Sequence, residues 1–162
     1  MDMIKEMFLL IWKVLPAYIA NATPLIMVRS GHPIDLNKKF IDGRPLLGPG
    51  KTIEGFFVGF ISGILTGLLQ NPGNLMRAFT LSLGAMLGDL LGSFIKRRLN
   101  IGRGRPAPFL DQATFIIVAL LLSSKFESYT IWEMFTIILI TIPIHLITNM
   151  VAYMVGIKKV PW

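Results

Sequence analysis

Five apolar stretches, each near the ~20 residues that cross a bilayer as a helix, constrain this chain more than any other feature. They cover residues 7–28, 54–70, 75–95, 108–124 and 131–157 of 162. The fourth is the weakest, because its charge-free apolar core runs only over 113–122. Hydrophobic residues make up 53% of the chain and charged residues 15%, whereas about a quarter are charged in a soluble domain. The expected fold is all-α, a single integral membrane domain over residues 1–162 with five transmembrane helices.

Charge orients the spans. The loop over 29–53 carries Arg29, Lys38, Lys39, Arg44 and Lys51, and the loop over 96–107 carries Lys96, Arg97, Arg98, Arg103 and Arg105. The tail adds Lys158 and Lys159. Five spans put these segments on one side, so that twelve of the 16 basic residues share it. Lys5, Arg77 and Lys125 fall opposite, with Lys13 in or near the first span. Cytoplasmic loops carry the Lys and Arg excess, so the N-terminus is expected outside and the C-terminus in the cytoplasm. Trp132 and Trp162 stand near span ends, as interfacial aromatics do. A cleaved leader over 1–22, ending in Ala20-Asn21-Ala22, is set aside because Pro16 interrupts the stretch and its apolar character continues past the cut. With zero cysteines, disulfides, thiolate catalysis and Cys-ligated metals are excluded.

Two glycine ladders repeat every four residues: Gly55, Gly59, Gly63 and Gly67 in the second span, and Gly84, Gly88 and Gly92 in the third. Each set lies along one helix face, where a neighbouring backbone can come close. Packing within the chain, with the ladders facing each other, is the first reading; a wall around a site or a homodimer seam is the second.

Chemistry concentrates at the end of the third span. At about 100° per residue, Asp89, Ser93, Lys96 and Arg97 fall within one ~100° sector of the helix, with Asp89 about 10 Å deeper than Lys96. A carboxylate at that depth is expensive and points to function, with a structural ion pair as the plainer alternative. Asp111 opens the fourth span on the same side. Two carboxylates among cations suggest a hard divalent metal held together with phosphates; for Asp111 alone, a first-turn acid favoured by the helix dipole is an equal reading. Asp35 and Asp42 add to the acids sharing these basic loops. Gly48-Pro49-Gly50-Lys51-Thr52 is not a P-loop, because Pro45 stands where that motif needs glycine and no strand precedes it. Thr52 can cap the second span, and amides at a helix N-terminus attract anions; a capped helix with a snorkelling lysine is the even alternative. His145 and Asn149 share a face of the fifth span and are expected to bond to another helix. Asn21, beside Pro24, is ambiguous alone.

Taken together, Gly88-Asp89, Ser93, Lys96-Arg97, Pro108 and Leu110-Asp111-Gln112 resemble the CDP-archaeol synthases, archaeal relatives of the bacterial CDP-diacylglycerol synthases. Ala20-Asn21, Pro24, Pro33, Asp35, Phe40, Asp42-Gly43-Arg44, Gly50-Lys51-Thr52 and Gly55 follow the same pattern, and the likeness covers residues 17–115. It implies Mg²⁺-dependent transfer of a cytidylyl group from CTP to 2,3-bis-O-geranylgeranyl-sn-glycerol 1-phosphate, at a cell membrane, on its cytoplasmic face. By that resemblance Asp89 and Asp111 hold metal, and with Lys96 they are the catalytic set. Asn21, Lys51, Thr52, Gly55, Ser93, Lys96 and Arg97 bind CTP. The bacterial relatives carry a further aspartate where Thr114 stands and an arginine where Gln112 stands, so their two-metal site is not expected here. CTP, a prenylated glycerol phosphate and membrane lipids are the expected partners, and nucleic acid is not. A CDP-alcohol phosphotransferase, prompted by Asp42-Gly43-Arg44, lacks that family's remaining residues. The alternative outside enzymes is a small transporter or channel with Asp89, His145 and Asn149 along its path.

Overall fold

A computed structural model describes residues 2–161. It contains five helices: α1 (Asp2–Met27), α2 (Ile53–Gln70), α3 (Leu75–Arg98), α4 (Leu110–Ser123) and α5 (Ile131–Met154). Among the described residues there is no strand, only the isolated bridges Pro33–Thr52 and Lys39–Pro45 that close the first long loop on itself. Each expected span is a helix, and α1, α2, α3 and α5 are long and apolar enough to cross a membrane. Trp132, in the first turn of α5, is exposed at that helix end; Trp162 lies outside the described residues.

The weakest span is also the shortest helix, and it packs mainly on α3. Phe109 adopts a positive φ of 64°, outside the helical region, so α4 begins only at Leu110. Its 14 residues measure about 21 Å at 1.5 Å per residue, short of the ~30 Å hydrocarbon core. Phe115, Ile116, Ala119 and Leu120 are buried, with Phe115 in ring contact with Tyr18 of α1 and His145 of α5. One face of α4 packs on α3, α5 and α1, while Ile117, Leu121 and Leu122 stay exposed on the other.

Pro16 does not interrupt α1, contrary to its reading as a break. Proline has no N–H, so the carbonyl four residues earlier loses its helical donor. That carbonyl is Trp12 O, and Gln70 Nε2 donates to it at 2.8 Å. The glycine ladders have different partners from those expected. The α2 ladder packs on α1 and α3: a methyl on Gly59 would meet Ala20 O at 2.4 Å and Met86 Sδ at 2.7 Å, and one on Gly67 would meet Ala78 Cβ at 2.4 Å. The α3 ladder packs on α4, with Gly84 against Ala119 and Gly88 against Thr114 and Phe115. Both faces are consumed within the chain, so the ladders neither face each other nor supply a dimer seam.

The two ends of the bundle differ in character. At one end Lys13, Arg77, Glu127 and Glu133 tie α1, α3 and the α4–α5 turn together by ion pairs of 3.0–3.5 Å. The basic loops and the tail gather at the other. There Asp35, 5% exposed, accepts hydrogen bonds from the amides of Leu47 (2.8 Å), Gly48 (3.0 Å) and Asn37 (3.0 Å). Asp42 pairs with Arg98, which also donates to Pro45 O, and Arg44 donates to the carbonyl of Arg98. These two acids therefore shape the first loop and dock it on α3, which removes them from the set of candidate phosphate or metal ligands.

Asp35 makes this loop acid-sensitive. Burial pushes its carboxyl up, but the amide bonds from Gly48, Leu47 and Asn37 outweigh burial and hold it below the usual 3.8. A carboxylate with a lowered folded-state pKa stabilises fully above its unfolded pKa and loses that contribution as pH falls through the folded value. Asp35→Ala is expected to weaken the loop by about 3 kcal/mol, since hydrogen bonds to a charged acceptor contribute about 1.5–3 kcal/mol each. The difference from wild type should be constant from about pH 5 to 8 and shrink below about pH 4. Hydrogen exchange at Leu47 and Gly48 reads it, and equal protection in the two proteins would contradict the role given to Asp35.

Candidate active site

The helical sector on α3 holds in three dimensions. Asp89, Ser93, Lys96 and Arg97 line one cavity of about 260 Å³, joined by Gly50, Lys51, Arg103, Asp111 and Thr114. α3 supplies one wall, the first turn of α4 brings Asp111, and the two basic loops close over them. Four cations (Lys51, Lys96, Arg97 and Arg103) face two carboxylates in this space, leaving it positive overall and suited to a polyanion.

Each carboxylate is engaged by a lysine. Lys51 Nζ donates to both oxygens of Asp89, at 2.7 and 2.6 Å. Lys96 Nζ donates to both oxygens of Asp111, at 2.8 and 3.0 Å, and to Arg105 O at 3.0 Å. Asp111 Oδ2 also accepts from Ala107 N at 3.0 Å, while Asp111 N donates to Ala107 O at 3.0 Å. So Asp111 is a helix-start acid and a cavity wall at once, and Asp89 makes an ion pair at the floor of that cavity. Lys51 does not snorkel to solvent; it turns inward. Arg97 is held by Leu47 O at 3.2 Å and by Ile101 O, so its guanidinium is fixed where the two loops meet.

The N-terminus of α2 is not an open anion site. Thr52 Oγ1 accepts from Gly55 N at 3.1 Å, Ile53 N donates to His32 O at 2.9 Å, and Phe56 N donates to Thr52 O at 3.0 Å. Thr52 is thus a capping residue, the plainer of its two readings. A methyl on Gly55 would stand 2.9 Å from the capping Thr52 Oγ1, with Pro24 Cβ at an ordinary 3.6 Å.

A second chamber, about 800 Å³, adjoins the first and shares Gly50, Lys51, Asp89 and Arg103 with it. Asn21, Thr52 and Gly55 line this chamber and not the smaller cavity, which separates them from the other expected CTP residues. α1 and α5 touch at Tyr18–Thr141 (2.6 Å); nearer their C-terminal ends they face each other across the chamber, through Leu25, Ile26, Val151 and Val155. His145 and Asn149 also line it. Their bond is not to another helix: Asn149 Nδ2 and His145 Nδ1 lie 2.9 Å apart one turn along α5, and Asn149 Oδ1 accepts from Lys158 Nζ at 2.9 Å. Arg103 and Lys158 are site residues that reading the sequence did not single out. Arg103 sits in a Gly-Arg-Gly-Arg run that signals only a basic turn, and Lys158 looks like one of two topology-setting charges in the tail.

Helices of this length around such a cavity define an integral membrane protein with a basic cavity at one end of its bundle. The family model for CDP-archaeol synthase (CarS-like) matches residues 3–162. The chain is 47% identical to the CDP-archaeol synthase of Pyrococcus horikoshii, over 93% of this chain and 94% of that one. It is 45% identical to that of Thermofilum pendens (94% and 79%) and 43% identical to that of Methanocaldococcus jannaschii (96% and 97%). A solved structure of an intramembrane enzyme for archaeal membrane lipid biosynthesis superposes with a TM-score of 0.78 at 42% identity, covering 86% of this chain and 91% of that one. The chain belongs to the CDP-archaeol synthase family. The transporter or channel alternative has no support among these relatives.

Proposed function

We propose that this protein transfers the cytidylyl group of CTP to an unsaturated archaeal ether-lipid phosphate, 2,3-bis-O-geranylgeranyl-sn-glycerol 1-phosphate, giving the CDP-linked lipid and pyrophosphate. Family membership supports the reaction class. The observation that carries the site is the pair of lysine–carboxylate couples, Lys51–Asp89 and Lys96–Asp111, facing one basic cavity beside a larger chamber with apolar walls. The loop end faces the cytoplasm in this reading, because the basic residues gather there and CTP arrives from that side.

In the reaction an ionised oxygen of the lipid phosphate attacks the α-phosphorus of CTP. The bond from that phosphorus to the β-phosphate bridging oxygen breaks, and its electrons leave with pyrophosphate. No proton moves at the attacking atom, so no general base is required. Catalysis then consists of positioning and charge neutralisation. Lys51, Lys96, Arg97 and Arg103 bind the triphosphate oxygens, and Ser93 offers a hydroxyl. Asp89 and Asp111 keep the two lysines aimed into the cavity.

Mg²⁺ fits this donor set. It takes one or two carboxylates and completes its shell with water and substrate phosphates, and among the described residues no cluster of three His, Cys, Asp or Glu forms. Asp89 and Asp111 are the residues that would hold it. When bound, it supplies neutralisation of the triphosphate and of the departing pyrophosphate.

Purified protein in detergent, given Mg²⁺, each nucleoside triphosphate and the lipid phosphate, tests the reading through pyrophosphate release. Release is expected to require both CTP and the lipid phosphate and to stop with EDTA. Equal release with every triphosphate, release without lipid, or none from folded protein would each overturn it.

A further inference from the structure

The reaction needs a group that holds the second phosphate, and of the four cations of the smaller cavity Lys96 and Arg97 do not reach the larger chamber, while Lys51 and Arg103 stand on the boundary between the two. The C-terminal tail provides one. α5 ends in a reversal in which Gly156, at φ 77°, donates to Tyr153 O at 3.0 Å and Ile157 N donates to Ala152 O at 2.8 Å. This pair of bonds is a Schellman motif, which needs a left-handed residue at its turn, usually glycine. It folds the chain back along its own helix, so that Lys158 Nζ reaches Asn149 Oδ1 nine residues earlier. Lys159, one position on, stays exposed.

A lysine that only sets topology gains nothing from being turned inward. Lys158 is partly buried, and burial lowers its pKa from the usual 10.5; the Asp111 carboxylate opposes that shift, and Lys96 and Lys51 add to it. The ammonium lines the larger chamber, which shares Gly50, Lys51, Asp89 and Arg103 with the smaller cavity. Its support is rigid. Asn149, only 7% exposed, spends its carbonyl on Lys158 and its amide on His145. All three line the larger chamber, whose walls also include the apolar side chains of Leu25, Ile26, Val151 and Val155. Lys158 is the cation that α5 and its tail add to this chamber, beside Arg29, Lys51 and Arg103 from the loops. A cationic head on a chamber with apolar walls that adjoins the triphosphate cavity has the chemistry to recognise a phosphomonoester bearing hydrocarbon chains.

We infer that Lys158, positioned by Asn149 and His145, binds the phosphate of the lipid substrate and presents its oxygen to the α-phosphorus of CTP. The inference rests on the cytidylyltransferase reading for the identity of the reaction, but not for the binding event. Binding of the lipid phosphate to the full chain is measured without nucleotide by native mass spectrometry in detergent, beside the uncharged lipid alcohol and chain-free sn-glycerol 1-phosphate. Wild type is expected to retain the lipid phosphate at least tenfold better than either control. Lys158→Met should lose that preference, Lys158→Arg should keep most of it, and Lys159→Met should match wild type. In turnover, Lys158→Met is expected to raise KM for the lipid phosphate by tenfold or more while KM for CTP changes less than twofold. A parallel rise in KM for CTP, equal losses in Lys158→Met and Lys159→Met, or undiminished lipid binding by Lys158→Met would overturn the assignment. If wild type binds the lipid phosphate through Lys158 yet releases no pyrophosphate, the proposed reaction fails and this site stands.

Discussion

Asp89→Asn and Asp111→Asn are each expected to lower cytidylyl transfer by three orders of magnitude or more, which corresponds to about 4 kcal/mol of lost transition-state stabilisation. Asparagine is nearly the same size and keeps one acceptor, so the packing around each position survives. At position 111 that acceptor can still take the bond from Ala107 N, and the start of α4 should hold. What disappears is the charge. Without it, Lys96 or Lys51 loses the carboxylate that now binds its ammonium through both oxygens, and the candidate metal loses one of its two protein ligands. Pyrophosphate release under saturating CTP and lipid phosphate measures the effect, and thermal unfolding in the same detergent should shift by only a few degrees. The two contributions separate in a Mg²⁺ titration: a variant impaired only in lysine placement reaches its reduced plateau at the wild-type Mg²⁺ concentration, and one that lost a ligand needs more. Wild-type turnover in both variants would remove these carboxylates from the mechanism.

The second large effect is expected from backbone packing and not from loss of a charge. Gly88→Val is expected to destabilise the protein by about 3 kcal/mol, the upper range for forcing extra carbon atoms into a filled interior, and to abolish turnover with it. A Cβ at this position would stand 2.5 Å from Thr114 O and 2.6 Å from Phe115 Cα. Both are backbone atoms, so no rotamer change relieves the clash and α3 must part from α4. Asp89 is the next residue on α3, and Asp111 lies one turn before Thr114 on α4, so the parting separates the two carboxylates. Gly73→Ala, in the turn between α2 and α3, provides the contrast: its nearest neighbour would be Asn71 Oδ1 at 3.5 Å, and such a surface change is expected to stay within about 0.5 kcal/mol. Unfolding in denaturant, compared for the two variants, checks the ranking. Similar stabilities would mean that the α3–α4 contact is looser than its geometry indicates.

Much of this molecule was legible as sequence because the governing rules act within single segments. Hydropathy marks a span one helix at a time, and the helical period alone puts Asp89, Ser93, Lys96 and Arg97 on one face. A four-residue glycine spacing likewise announces close packing without saying against what. The misreadings share an opposite character. Pro16 looked like a break because its remedy, Gln70, lies 58 residues from the Trp12 carbonyl that the proline leaves without a donor. Asp35 and Asp42 read only as acids sharing the basic loops, and the folded loop turns them to its own amides and to Arg98. His145 and Asn149 suggested an interhelical bond, and their actual third partner comes from the tail, brought back by the turn at Gly156.

The sequence by itself determined that the chain is a helical membrane protein, which of its segments form the apolar helices, and that its basic loops share one end with Asp89 and Asp111. Those properties follow from local solvation and helix periodicity, which each segment satisfies alone. Only the tertiary structure decided that Lys51 meets Asp89 across 38 positions and Lys96 meets Asp111 across 15. It also decided that the shortest helix packs against the glycine ladder of α3, and that Lys158 but not Lys159 faces the chamber. Such choices depend on how closely glycine-lined helices approach and where a loop or tail reverses, and those distances exist only once all five helices are packed.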